Sequence, residues 1–139
     1  MGQHERVQEE RVAERTRADA QTVLGWAQLA ARAAASKTDE DTVVLDVGEV
    51  LSITGYFVIS GGRNPRQVRT IAEEVARVVA AEAGLRPLRT EGFDTSRWVL
   101  LDYGDFVVHV LLDEARSYYE LERLWSDVPR VEWAVPPGA

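Results

Sequence analysis

The spacing of apolar positions changes several times along the chain, and each change marks an element. From Asp19 to about Lys37, Val23, Ala27, Ala30 and Ala34 recur at helical spacing, with Leu24, Trp26 and Ala31 beside them. This predicts an amphipathic helix. Alanine buries little area per residue, so this helix needs a partner surface to be stable. Val43-Val44-Leu45-Asp46-Val47 then reads as a short buried strand. Residues 48–54 form a connector with room for one helical turn. Tyr56-Phe57-Val58-Ile59-Ser60 is a second strand, ended by Gly61-Gly62.

The best-defined element follows. Asn64 suits an N-cap, Pro65 the first helical position, and Gln67 the third, where it can complete a capping-box-like pair. Val68, Ile71, Ala72, Val75, Val79 and Ala83 mark one face, and Gly84 stops the helix. Arg86 to Glu91 is extended, with Pro87 favouring a strand end or an edge, and 91–96 is a loop. Trp98 to Asp102 and Phe106 to Leu112 are strands joined by the short turn Tyr103-Gly104-Asp105. Both carry apolar residues at successive positions, which predicts cover on both faces. A last helix runs from Asp113 to about Ser126, with Tyr118, Leu121, Glu122 and Trp125 at helical spacing, and Pro129 ends it. The order α, β, β, α, β, β, β, α gives an α/β (α+β) class: a mixed sheet of about five strands with helices packed on it. The division is a polar extension at 1–18, disordered or helical, one domain at 19–126, and a tail at 127–139.

Composition narrows the function. The chain has 139 residues, 45% of them hydrophobic, which is enough for a core without staples or metals. It has no cysteine, so disulfides, thiolate zinc sites and a cysteine nucleophile are excluded. The formal net charge of −7 opposes phosphate backbones and suits a basic protein partner. No apolar run reaches the length of a membrane span, and Met1 to Arg15 has no apolar stretch like that of a signal peptide. The expected location is the cytoplasm.

Candidate chemistry does not assemble from the residues. Ser60-Gly61-Gly62 before a helix, with Arg63 and Arg66, is either an anion site or a tight turn where glycine is simply permissive. Full phosphate-loop and dinucleotide fingerprints are absent. Asp46, Asp102 and Asp105 are candidates for a magnesium pair, yet Asp102 and Asp105 flank a turn, where aspartate serves local hydrogen bonding. His109 stands on an apolar strand without a second histidine, because His4 lies in the N-terminal extension; it is a structural or a contact residue. Trp98, Tyr103, Phe106, Tyr118, Tyr119 and Trp125 divide between core and binding anchors. No metal, cofactor or catalytic residue is assigned.

Several motifs occur together in order. They are Val44-Leu45-Asp46-Val47, then Ile53 through Gly61, then Arg66-Gln67-Val68 with Ile71-Ala72. Glu91-Gly92 follows, then Trp98 through Val110, then Arg116, Tyr119 and Leu121-Glu122-Arg123-Leu124-Trp125. In this set, spanning about Leu24 to Trp125, the chain resembles the ribosomal silencing factor S family, also called the Iojap family. One position departs: Gly55 stands where the family usually carries aspartate, which removes whatever cap or partner contact that carboxylate makes.

The resemblance implies a nucleotidyltransferase-like fold without the catalytic acids, and hence a binder rather than an enzyme. It implies a partner, the fourteenth protein of the large ribosomal subunit, whose occupation blocks joining of the small subunit and represses translation. Neither a membrane nor direct nucleic-acid binding is required, and a homodimer is compatible. Carried over by position, Trp98 is the anchor, Leu100 and Tyr103 add apolar contact, and Asp102 and Asp105 face basic side chains. Glu91 and His109 either join them or brace the sheet. Arg116, Tyr119, Glu122 and Trp125 serve packing or contact. A nucleotidyltransferase-like enzyme and a dimeric adaptor without a ribosomal role remain the alternatives.

Overall fold

The computed structural model describes residues 20–116, 123 and 126–134. The alanine-rich segment is a helix, α1 (20–35), and Ala27, Ala30, Ala31 and Ala34 are fully buried. There follow β1 (Val43–Asp46), a single helical turn α2 (Gly48–Leu51), β2 (Tyr56–Gly62), α3 (Pro65–Ala83), β3 (Arg89–Glu91), β4 (Trp98–Asp102), β5 (Phe106–Leu112) and α4 (Asp113–Arg116).

Helix α3 has the predicted bounds. The Asn64 side chain accepts from the Gln67 N–H at 2.8 Å. Gln67 reaches back to accept from the Arg63 N–H at 2.7 Å, one residue beyond the usual capping-box partner. Gly84 closes the helix in the left-handed region, its N–H bonded to the Ala80 carbonyl.

The strand order is β1-β2-β5-β4-β3; β2 and β5 are parallel and the other pairs antiparallel. On one face Val58, Val99, Leu101, Phe106, Val108 and Val110 meet α1 and the Val68, Ile71, Val75 and Val79 stripe of α3. Each such aliphatic burial is worth about 1.5–3 kcal/mol. The opposite face holds a smaller cluster of Val43, Leu45, Val47, Ile59 and Leu111, joined by Leu51, Phe57 and Val128.

Three expectations change. Strand β4 is not covered on both faces: it alternates, with Val99 and Leu101 buried, Leu100 and Asp102 half-buried and Trp98 exposed. The second apolar cluster gathers at the β1–β2 side and stops short of β4. Gly61 and Gly62 do not end β2 but continue it, opposite Leu111 and Leu112. At Gly62 a Cβ would come 3.1 Å from the Val68 nitrogen, so glycine there permits the close approach of β2 to α3. Lastly, part of the segment expected to be a tail belongs to the sheet edge. The Asp46 N–H donates to the Pro129 carbonyl, and the Val131 N–H to the Val44 carbonyl. The Trp133 indole donates to the Thr42 carbonyl at 2.8 Å, while Arg32 and Gln28 of α1 hold the carbonyls of Trp133 and Glu132.

Among the described residues, no helix is long and apolar enough to cross a membrane.

Candidate functional site

The loop before β4 fixes where that strand begins. Gly92 has φ +89°, and a Cβ on it would lie 1.9 Å from the Trp98 carbonyl oxygen, so only glycine fits. The Ser96 N–H returns to the Gly92 carbonyl, and the Ser96 hydroxyl to that of Phe93. Arg69 of α3 ties the loop down, donating to the Phe93 carbonyl with its guanidinium 5.9 Å from the Phe93 ring centre. The Leu112 N–H donates to the Arg97 carbonyl, which brings the chain into register on β5.

Trp98 therefore starts β4 on the less covered face and is 46% exposed. Its indole N–H donates to His109 Nδ1 at 3.1 Å. His109 is buried on the neighbouring strand, opposite Leu100, with Phe57 edge-on at 4.7 Å between ring centres. Burial pushes the His109 pKa down to about 4, against a weaker opposing pull from the Asp102 carboxylate. The ring is neutral at neutral pH, which leaves Nδ1 a lone pair to accept with.

Around this pair the surface is apolar at its centre and charged at its rim. Leu100, Val107 and Phe57 are half-buried. Register places them on the Trp98 face, since Leu100 opposes His109, Asp102 opposes Val107, and Val107 opposes Phe57. On the β3 side lie Glu91, Arg89 and Asp102, with the Arg89 guanidinium 3.7 Å from Glu91 and 3.3 Å from Asp102. Asp105 is exposed at the turn, and its carbonyl accepts from the Gly55 N–H at 2.9 Å. A Cβ at Gly55 would sit 3.3 Å from that same oxygen, so a larger residue there requires a small adjustment of the turn.

The structure gathers Trp98, Leu100, Asp102 and Glu91 in one neighbourhood, with Asp105 at the adjoining turn. It buries Tyr103, expected as a contact, and His109, expected either as a contact or as a brace of the sheet. Tyr103 is in the core, stacked on Phe106 at 4.6 Å with ring planes 9° apart, because the turn folds its side chain inward. It offers no exposed apolar contact, and desolvation pushes its phenol up to about 12. His109 is likewise beneath the surface, where it accepts from the Trp98 indole. Tyr119, Glu122 and Trp125 lie outside the described residues. Sequence reasoning missed Phe57 and Val107; once β5 is paired with β4, strand alternation identifies them as neighbours of Leu100.

Asp46 accepts from the Gly48 N–H and Asp102 from the Gly104 N–H, each serving its own turn. Asp46 and Asp102 are three strand spacings apart, about 14 Å, and point to opposite faces. Among the described residues no group of three or more potential ligand side chains comes together. The Gly61 carbonyl accepts from the hydroxyl of Thr38, in the connection after α1, at 2.7 Å.

Comparison with known proteins places this architecture. A family model described as ribosomal silencing factor during starvation matches residues 19–137, a span that includes the edge segment at 129–133. The ribosomal silencing factor RsfS of Halalkalibacterium halodurans is 44% identical over 105 residues, 76% of this chain and 89% of that one. A mouse protein named mitochondrial assembly of ribosomal large subunit protein 1 is 32% identical over 88 residues, 62% of this chain and 39% of its own length. Among solved structures, a Chromobacterium violaceum protein superposes with a TM-score of 0.70 at 32% identity, covering 84% of this chain and 95% of that one.

Proposed function

From the premise that this chain belongs to the ribosomal silencing factor family, we propose that it is a stoichiometric translation repressor which docks on the large ribosomal subunit. Its partner there is the subunit's fourteenth protein, engaged through the Trp98 face. The reading is carried by one observation: an exposed tryptophan opens the uncovered part of a sheet whose other face is packed, along β2, β5 and β4, against α1 and α3. Aromatic anchors ringed by near-neutral contacts dominate the energetics of protein interfaces. Half-buried Leu100, Val107 and Phe57 supply the apolar surround, and Glu91, Asp102 and Asp105 face basic side chains. The net charge of −7 favours approach to a basic ribosomal protein. Arg89 neutralises part of the rim, leaving Asp105 as the acid best placed to steer.

The mechanism is steric. A chain of this length folds to a radius of gyration of about 14 Å. A body of that size fixed where the two subunits meet excludes the small subunit without any reaction. Affinity need only compete with subunit joining, and an interface of roughly 800 Å² on each side suffices.

Sucrose-gradient sedimentation tests the proposal. Added protein co-migrates with large subunits and depletes joined ribosomes. Trp98→Ala loses about 2 kcal/mol or more of that binding, roughly thirtyfold, while staying folded, and binding weakens as salt rises. Co-sedimentation of Trp98→Ala at wild-type strength overturns the anchor assignment. Undiminished subunit joining in the presence of bound protein overturns the steric mechanism.

A further inference from the structure

The indole N–H of an exposed tryptophan is ordinarily left to water or to a partner. In Trp98 it is turned inward, to His109 Nδ1 at 3.1 Å. The imidazole is held from the other side by the Phe57 ring and is 6% exposed, so within the pair the imidazole is the buried member and the indole the exposed one. With Nδ1 accepting, the ring's proton sits on Nε2, which is itself buried and has no partner among the described residues. An apolar ring would fill the same space without stranding a donor. The Trp98 bond accounts for a polar residue there.

We infer that His109 is a positioning residue, which fixes the Trp98 indole from beneath in the orientation that engages the partner. The inference rests on the docking reading above. Its physical content is preorganisation: a side chain already ordered before encounter avoids a loss that otherwise weakens binding roughly two- to tenfold.

The test uses the intact protein, purified large subunits and two substitutions. His109→Phe keeps the ring and its burial but removes the acceptor; His109→Gln restores an acceptor. The Trp98 indole N–H resonance, assigned by its absence in Trp98→Phe, should be displaced and slow to exchange in the wild type. It should move to a solvent-like position and exchange quickly in His109→Phe, and return part of the way in His109→Gln. Co-sedimentation should weaken roughly two- to tenfold in His109→Phe, with no further loss when the same change is made in Trp98→Ala. A folded His109→Phe that binds as wild type overturns the inference, as does an equal loss in the Trp98→Ala background. If His109→Phe does not fold, exchange in the wild type decides: rapid exchange of the Trp98 N–H overturns the positioning role, and slow exchange upholds it. Full binding by Trp98→Ala brings down the docking reading and this inference together. Weak binding by Trp98→Ala with full binding by His109→Phe brings down this inference alone.

Discussion

Tyr103→Phe is expected to stabilise the protein while leaving subunit binding unchanged. The Tyr103 ring is 8% exposed and stacked on Phe106, and its hydroxyl is buried with no hydrogen-bond partner among the described residues. An unsatisfied buried hydroxyl costs about 1–3 kcal/mol relative to its hydration in the unfolded chain. Removing one oxygen leaves the stacked ring in place and a gap whose cavity cost is only about 0.3 kcal/mol. The net gain is about 1–2 kcal/mol, or a rise of roughly 3–8 °C in Tm for a chain of this size. Urea unfolding followed by tryptophan fluorescence reads it as a higher midpoint at unchanged slope. Alkaline titration gives a second reading. Because burial raises the folded pKa to about 12 from 10.0, the neutral phenol favours folding. Its contribution is complete below 10 and lost as pH rises toward 12; that loss disappears in the variant. A destabilisation of about 1 kcal/mol or more refutes the reasoning, for it means that the hydroxyl is bonded in solution. Loss of co-sedimentation would restore Tyr103 to the docking surface.

Two further outcomes follow from the same region. Gly92→Ala combines a left-handed backbone with a Cβ that overlaps the Trp98 carbonyl, and is expected to cost at least about 2 kcal/mol and to weaken subunit binding, read by urea midpoint and co-sedimentation. For His109, the folded pKa of about 4 lies below the ordinary 6.5, so the folded state favours the neutral ring. Its contribution is full above 6.5 and declines as pH falls toward 4, by about 1.4 kcal/mol per pH unit. The unfolding free energy should be about 2 kcal/mol greater at about pH 7.5 than at about pH 5 in the wild type, with a smaller difference in His109→Phe.

How far the sequence reached depended on the range of each interaction. Helix α3 was legible to its ends because Asn64, Pro65 and Gly84 act on their own backbone neighbours. The bounds of β4 and β5 were legible for a similar reason, since a short turn joins two apolar runs. Whether β4 is covered on one face or two depends on what packs over it, and no residue in Trp98–Asp102 encodes that. The continuation of β2 through Gly61 and Gly62 depends on parallel pairing with β5, about fifty residues away in sequence. For Tyr103 a turn position suggests exposure, whereas its ring finds Phe106 three residues on. Of the docking face, the alternation of Trp98, Leu100 and Asp102 was visible in one strand, while Phe57 and Val107 become neighbours only through the ladder.

The segment at 129–133 also decides how the molecule behaves in a crowd of its own copies. Strand β1, Val-Val-Leu-Asp, is the kind of flank that recruits another chain, and without Pro129 and Val131 along it, it would be an edge open to pairing with a second copy. The far flank, β3, is defended by other means: it is three residues long, wholly exposed, and carries Arg89 and Glu91. One border is thus roofed over and the other guarded by charge. Trimming the chain at residue 128 would cost solubility before it touched Trp98.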